Sequence, residues 1–227
     1  MNLFTPGRGR AVDQDSVVVI GLGRFGRALA MELIAAGVEV LGVDGDEEVV
    51  QELSAHLTHC VRADSTSEEA LRQLGIPDFT RAVVGIGSNI EASLLTASLL
   101  KKLGVPSIWA KAISEPHGRI LEQLDIGHVV FPEHDMGQRV AHLVMGRMLD
   151  FIQFEPDYAM AKTEAPALLL GRPLSETGVR RQHGVTVVGV KHGGSFTHAT
   201  GETVLQSGDQ IIVSGIPAAV QRFSDLR

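Results

Sequence analysis

Residues 16–44 read SVVVIGLGRFGRALAMELIAAGVEVLGVD, and the fold follows from this stretch. Residues 16–20 form a short β-branched run stopped by glycine, which predicts a buried parallel strand. Over 24–36, Phe25, Leu29, Leu33 and Ile34 recur at helical spacing until Gly37 ends the helix. Residues 38–43 predict a second strand. Between the first strand and the helix stands Gly21-Leu22-Gly23-Arg24-Phe25-Gly26. A lone G-x-G-x-x-G is a weak pattern, but between a strand and a helix it predicts a phosphate loop. Gly21 permits the tight turn, Gly23 lets backbone approach phosphate, and Gly26 lets the helix lie against the strand. The helix N-terminus then offers free N–H groups and a positive dipole end. Asp44 ends the second strand, 18 residues after Gly26. A carboxylate there accepts from both ribose hydroxyls and repels a 2′-phosphate, which disfavours NADP.

The same alternation continues outward, with strands predicted at 58–62, 81–86, 107–112 and 128–131. Helical patterns fill 47–55, 67–74, 90–103 and 115–124. Six strands alternating with helices predict an α/β, Rossmann-like, doubly wound parallel sheet. A long helix follows over 133–149, with Met136, Val140, Leu143, Val144 and Met148 on its apolar positions. It reads as a crossover or dimer element, or as a last packing helix. The pattern changes after Phe154-Glu155-Pro156, where a domain boundary is expected. Short antiparallel strands at 185–191, 195–199 and 210–213, with helices at 174–181 and 218–226, predict a small α+β second domain. The expected division is a flexible leader over 1–15, a nucleotide-binding domain over 16–150 and a C-terminal domain over 156–227.

Composition narrows the function classes. The chain has 227 residues, 44% of them hydrophobic, and a formal net charge of -7. The acidic balance argues against nucleic acid as a main partner and gives no polybasic membrane contact. One cysteine, Cys60, permits no disulfide framework within the chain and fits a reducing compartment. No apolar run approaches the roughly 18 residues of a membrane span. The first residues lack the apolar stretch of a signal peptide. A cytoplasmic protein is expected.

Two further residues bear on chemistry. Arg24 either reaches a terminal phosphate with bidentate geometry or stands solvated on the first helical turn. Asp64, at the end of the third strand, either meets an adenine edge or caps the helix after it. A dehydrogenase would also need a proton-transfer group near a nicotinamide, and the small second domain shows no paired acid and base. The sequence therefore predicts a nucleotide that acts as a signal, with a small NAD-dependent oxidoreductase or a redox-sensing NAD(H)-binding protein as the alternative.

The runs VVVIGLGRFGRALAMEL, VLGVDGDEE, VVGIGSNIEASLLTASLLKKLGV, IWAKA and FPEHDMGQRVA resemble the KtrA/TrkA type of regulatory subunit, built from an RCK N-domain and a C-terminal RCK (TrkA-C) domain. The resemblance covers nearly the whole chain after residue 15. It implies a homodimer assembling into an octameric ring, docked on a KtrB/TrkH-like membrane subunit that translocates potassium. It implies no enzymatic activity. ATP and ADP would compete for the N-domain, and NAD(H) is also a ligand in the wider family. Residue by residue, the resemblance assigns Gly21, Gly23, Phe25 and Gly26 to the phosphate loop and Arg24 to the γ-phosphate. Asp44 matches the ribose carboxylate, and Ala63 and Asp64 match the adenine side. Gly87, Ser88, Asn89 and Glu91 match a loop near the nucleotide, and Lys111 a lysine near the phosphates. Glu133 matches a carboxylate linked to Mg²⁺ or Ca²⁺, hard cations that take oxygen ligands. Arg180 stands where relatives that bind cyclic di-AMP carry an arginine. Gly45 departs from the family, where many relatives have a larger apolar residue.

Overall fold

The computed structural model describes residues 16–226. The leader expected over 1–15 lies outside the described residues. By packing, the chain divides into two compact units, one ending at Glu133 and one beginning at His134.

The first unit alternates β1 (Val17–Ile20), α1 (Arg24–Ala35), β2 (Val40–Asp44), α2 (Glu47–Leu53), β3 (His59–Arg62), α3 (Glu68–Gln73), β4 (Arg81–Val84), α4 (Ile90–Lys102), β5 (Ser107–Lys111), α5 (Glu115–Gln123) and β6 (His128–Val130). All six strands are parallel, in the order β3-β2-β1-β4-β5-β6. The continuous apolar runs are explained by burial of both faces. Val18, Ile20, Leu41, Val43, Ala82 and Val84 enter one core cluster, with Leu71, Leu100 and Leu121 from α3, α4 and α5. Their alternates Val17, Val19, Val40 and Val83 enter the other, with Ala30, Leu53 and Leu57. Period-2 alternation thus sends one residue of each pair to each layer. The strand order reverses between β1 and β4, which opens a crevice at the carboxyl ends of the strands.

α5 carries a buried histidine. Ser114 caps the helix by accepting from the His117 N–H. The His117 side chain is 1% exposed, and its Nδ1 accepts from the Ile113 N–H at 3.4 Å. Burial pushes its pKa below the ordinary histidine value. The unfolded chain then binds this proton before the folded one does. Stability is therefore fully present above about pH 6.5 and falls as pH drops below that value. His117→Leu is expected to flatten this dependence: its Tm should change less than that of the native chain between pH 7 and pH 5.

The second unit holds α6 (Pro132–Met145) from His134 onward, then β7 (Asp150–Glu155), β8 (Tyr158–Glu164), α7 (Leu174–Thr177), α8 (Val179–His183), β9 (Val185–His192), β10 (Ser195–His198), β11 (Gln210–Gly215) and α9 (Pro217–Ser224). Its sheet is antiparallel, in the order β10-β9-β11-β8-β7. Ala159, Ala161, Val185, Val187, Ile211 and Val213 pack with Val220 and Phe223 of α9 in one core.

Three expectations need correction here. The helix expected over 133–149 ends at Met145, and Asp150 already starts a strand. There the Asp150 carboxylate accepts from Arg139 at 2.6 Å and from the Phe151 N–H at 2.8 Å. Phe154-Glu155-Pro156, expected as a boundary, lies at the turn of the β7–β8 hairpin inside one sheet. The helix expected over 174–181 is broken into α7 and α8 by Gly178, whose φ of 65° is left-handed.

Candidate functional site

The crevice at the β1/β4 switch holds about 1190 Å³ and is formed entirely by the first unit. Its floor is backbone, because three glycines bring chain segments closer than side chains allow. Gly21 turns with a φ of 88°, open to glycine and rarely to other residues. A Cβ on Gly26 would stand 1.9 Å from the Gly21 carbonyl oxygen, and one on Gly85 would stand 2.7 Å from the same atom. Gly23 differs. A Cβ there would meet nothing within 4 Å, so this glycine faces open space. Gly23 is also the N-cap of α1. Among the described residues no side chain caps that helix, and its first turn carries no acidic residue. The N–H groups at the start of α1 are thus available to an anion.

Asp44 stands at the far side of the loop. Its Oδ2 accepts from the Leu22 N–H at 2.6 Å and its Oδ1 from the Asp46 N–H at 2.9 Å. Each oxygen keeps a lone pair for a further donor. The carboxylate therefore locks the phosphate loop to the end of β2 while still facing the cleft.

The other end carries charge. Lys111, at the end of β5, is 8% exposed and lines the cleft with its ammonium 5.8 Å from the Phe25 ring centroid. That ammonium donates to Glu133 Oε1 at 2.5 Å. The bond to Lys111 holds the Glu133 carboxyl below the usual carboxylate range, and Arg24 adds to the effect. Arg24 itself is exposed at the first position of α1.

Of the expected residues, Gly21, Gly23, Arg24, Phe25, Asp44, Ala63, Asp64, Gly87, Ser88, Lys111 and Glu133 line this one cleft. Gly26 lies behind the loop. Asn89 and Glu91 do not line it: Asn89 caps α4 by accepting from the Ala92 N–H, and Glu91 is exposed in the first turn of that helix. Asp64 accepts from the N–H and hydroxyl of Thr66, and those bonds lower its pKa. The cap of α3 is Ser67, not Asp64. Arg180 is exposed on α8 in the second unit.

Sequence reasoning missed Gly85, Arg62, Val49, Ile86 and Ile113, which also line the cleft. Gly85 had a legible signal, being a glycine directly after a β-branched strand. The others lie on elements whose ends converge only once the sheet is formed.

The donor set fits a nucleotide: an uncapped helix start, a carboxylate for diol hydroxyls, and two cations at the opposite end. The cation ligands are thinner. Glu133 supplies one carboxylate, already bonded to Lys111. Among the described residues no group of three or more His, Cys, Asp or Glu side chains converges to hold a metal. Among the described residues no helix is long and apolar enough to cross a membrane.

Residues 17–132 match the TrkA-N domain and residues 160–227 the TrkA-C domain. The chain is 37% identical over 207 residues to the Ktr system potassium uptake protein C of Bacillus subtilis (strain 168), covering 90% of this chain and 94% of that protein. It shares its fold with the GsuK RCK domain, with a TM-score of 0.67 at 17% identity over 97% of this chain and 48% of that one. The NAD(P)-binding domain of an exopolyphosphatase-related protein from Archaeoglobus fulgidus aligns at a TM-score of 0.51 and 26% identity, over 57% of this chain and 96% of that one. Its two domains, in this order and over this length, place the chain in the family of TrkA-N/TrkA-C proteins to which the Ktr potassium uptake proteins belong.

Proposed function

We propose that this chain is a cytoplasmic, nucleotide-binding regulatory subunit of a potassium uptake system, in which ATP and ADP exchange in the cleft of the first unit gates a membrane partner. The observation that carries the reading is the cleft itself: the uncapped start of α1 and Asp44 converge with Arg24, Lys111 and Glu133. The potassium system is taken from the Ktr relative, and the role is signalling, with no catalytic step assigned. NAD(H) would satisfy Asp44 and the glycine loop equally, and it is the second ligand to test.

A gating ligand must bind two states differently, since equal affinity shifts nothing. ATP and ADP differ by one phosphate, so the discriminating groups belong at the phosphate end. Arg24 is assigned to the terminal phosphate. Glu133 is assigned to a divalent cation, Mg²⁺ or Ca²⁺, which would supply positive charge beside the phosphates, and Lys111, now bonded to Glu133, would be the cation facing them from the protein. Arg24→Ala is expected to weaken ATP by about tenfold while leaving ADP nearly unchanged, the range of one charge-assisted hydrogen bond pair. Parallel calorimetric titrations of ATP, ADP and NADH, with and without Mg²⁺, check this. Equal loss of both adenine nucleotides would remove Arg24 from the sensing role, and exclusive NADH binding would replace the gating nucleotide altogether.

Assembly as a homodimer, and from dimers to an octameric ring on a KtrB/TrkH-like subunit, belongs to the same proposal. It is supported by α6, none of whose residues is buried although Met136, Val140 and Val144 form an apolar row. Arg180 is the candidate contact for cyclic di-AMP, which joins the same titration panel.

A further inference from the structure

The cleft has an open flank beside Asp44. Beyond Asp44 the chain continues through Gly45, and a Cβ there would meet nothing within 4 Å. Gly45 has no left-handed φ, so the position is not glycine for backbone reasons. A purine attached to a ribose held by Asp44 therefore has an open flank beside Gly45.

Arg62 stands at that flank. It ends β3 as the register partner of Asp44 on the neighbouring strand. Its Nε donates to the Gly45 carbonyl at 3.2 Å and its Nη1 to Glu47 Oε2 at 3.0 Å. The guanidinium is thus held at the Gly45 backbone carbonyl, beside the open flank, and Arg62 lines the cleft together with Val49 and Ala63. The Arg62–Glu47 pair leaves both side chains largely exposed, at 62% and 61%. A pair so exposed is weak, and it leaves a face of the guanidinium plane open to a partner. A guanidinium is also flat, weakly hydrated and suited to stacking on aromatic rings.

We propose that the Arg62 guanidinium, held at the Gly45 backbone beside the open flank, stacks on the nucleobase of the bound nucleotide and forms one wall of the base site. The proposal rests on the nucleotide reading above and names a contact within it. Its consequence is that base affinity depends on a planar group at Arg62 and not on charge alone.

Four variants test it: Arg62→Ala, Arg62→Lys, Arg62→Tyr, and Arg62→Ala combined with Gly45→Leu. Each is titrated calorimetrically with ADP, ATP and pyrophosphate, and each is checked for an unchanged Tm. Arg62→Ala should weaken ADP and ATP alike by about tenfold, the loss of one base stack, and leave pyrophosphate unchanged. Arg62→Tyr should restore most of the affinity, Arg62→Lys little of it, and Gly45→Leu should recover part of it in the alanine background. The assignment is overturned if Arg62→Ala binds ADP as the native chain does. It is equally overturned if pyrophosphate falls in parallel, or if lysine rescues and tyrosine does not, since either result reports charge alone. Tighter binding of 2′-phosphorylated ADP than of ADP by the native chain would also overturn it, by assigning Arg62 to the sugar. Failure of the native chain to bind ADP would remove the nucleotide reading itself, a result distinct from loss confined to Arg62.

Discussion

Gly26→Ala is expected to destabilise the protein by about 2–4 kcal/mol and to abolish measurable nucleotide binding. Alanine is ordinarily the better residue inside a helix, by about 1 kcal/mol. Here its Cβ would lie 1.9 Å from the Gly21 carbonyl oxygen and 3.0 Å from the Gly21 carbonyl carbon. Both are backbone atoms, so no flexible side chain can move aside. α1 must lift from β1 or the loop must shift, and either change displaces the helix start from the cleft. Urea denaturation reads the stability loss and calorimetry reads the binding loss. Gly23→Ala is the matched control. Its added methyl meets open space, and Gly23 has φ -63° and ψ -169°, available to any residue. Stability should stay within about 0.5 kcal/mol, as for other unconstrained positions, while binding falls because the methyl points where phosphate must come. Equal stability of the two variants would refute the packing argument.

Asp44→Ala is expected to weaken ATP, ADP and NADH together by about 10–100-fold, because it removes an acceptor for the ribose diol common to all three. The same change leaves the Leu22 and Asp46 N–H groups without the carboxylate that now accepts from them. A smaller loss of stability, of order 1–2 kcal/mol, should accompany it. Asp44→Asn separates the two effects. Its amide keeps one oxygen for a backbone N–H but presents a donor in place of the second acceptor, so binding should fall more than stability. Unchanged affinity for all three ligands in Asp44→Ala would end the ribose assignment.

Much of the fold was legible in the chain because its signals are local. The central strands β1, β2 and β4 are short apolar runs of the kind that both-face burial demands, and the helices between the strands carry their own periodicity. The glycine-rich turn was legible for the same reason, with glycine spacing and strand–turn–helix context falling within a dozen residues. Local reasoning failed where two readings of one run compete. The stretch at the end of α6 is apolar at helical spacing, and the strand beginning at Asp150 is settled by pairing with β8, residues that follow it in a hairpin. The family resemblance put Asn89 and Glu91 near the nucleotide along with Gly87 and Ser88. Asn89 turns its side chain to the α4 backbone instead, because a helix start needs an acceptor.

By itself, then, the amino-acid sequence determined the α/β class, the glycine-rich turn between the first strand and helix, the carboxylate at the end of the second strand and the order of the two domains. These depend on patterns within one element or between neighbours. Only the tertiary structure decided that Lys111 meets Glu133, that Gly85 and Gly26 close on one carbonyl oxygen, and that Arg62 stands beside Asp44 at the open flank of Gly45. The physical reason is register. Parallel pairing aligns the ends of strands far apart in the chain, and no local pattern of side chains records which residues those ends will share.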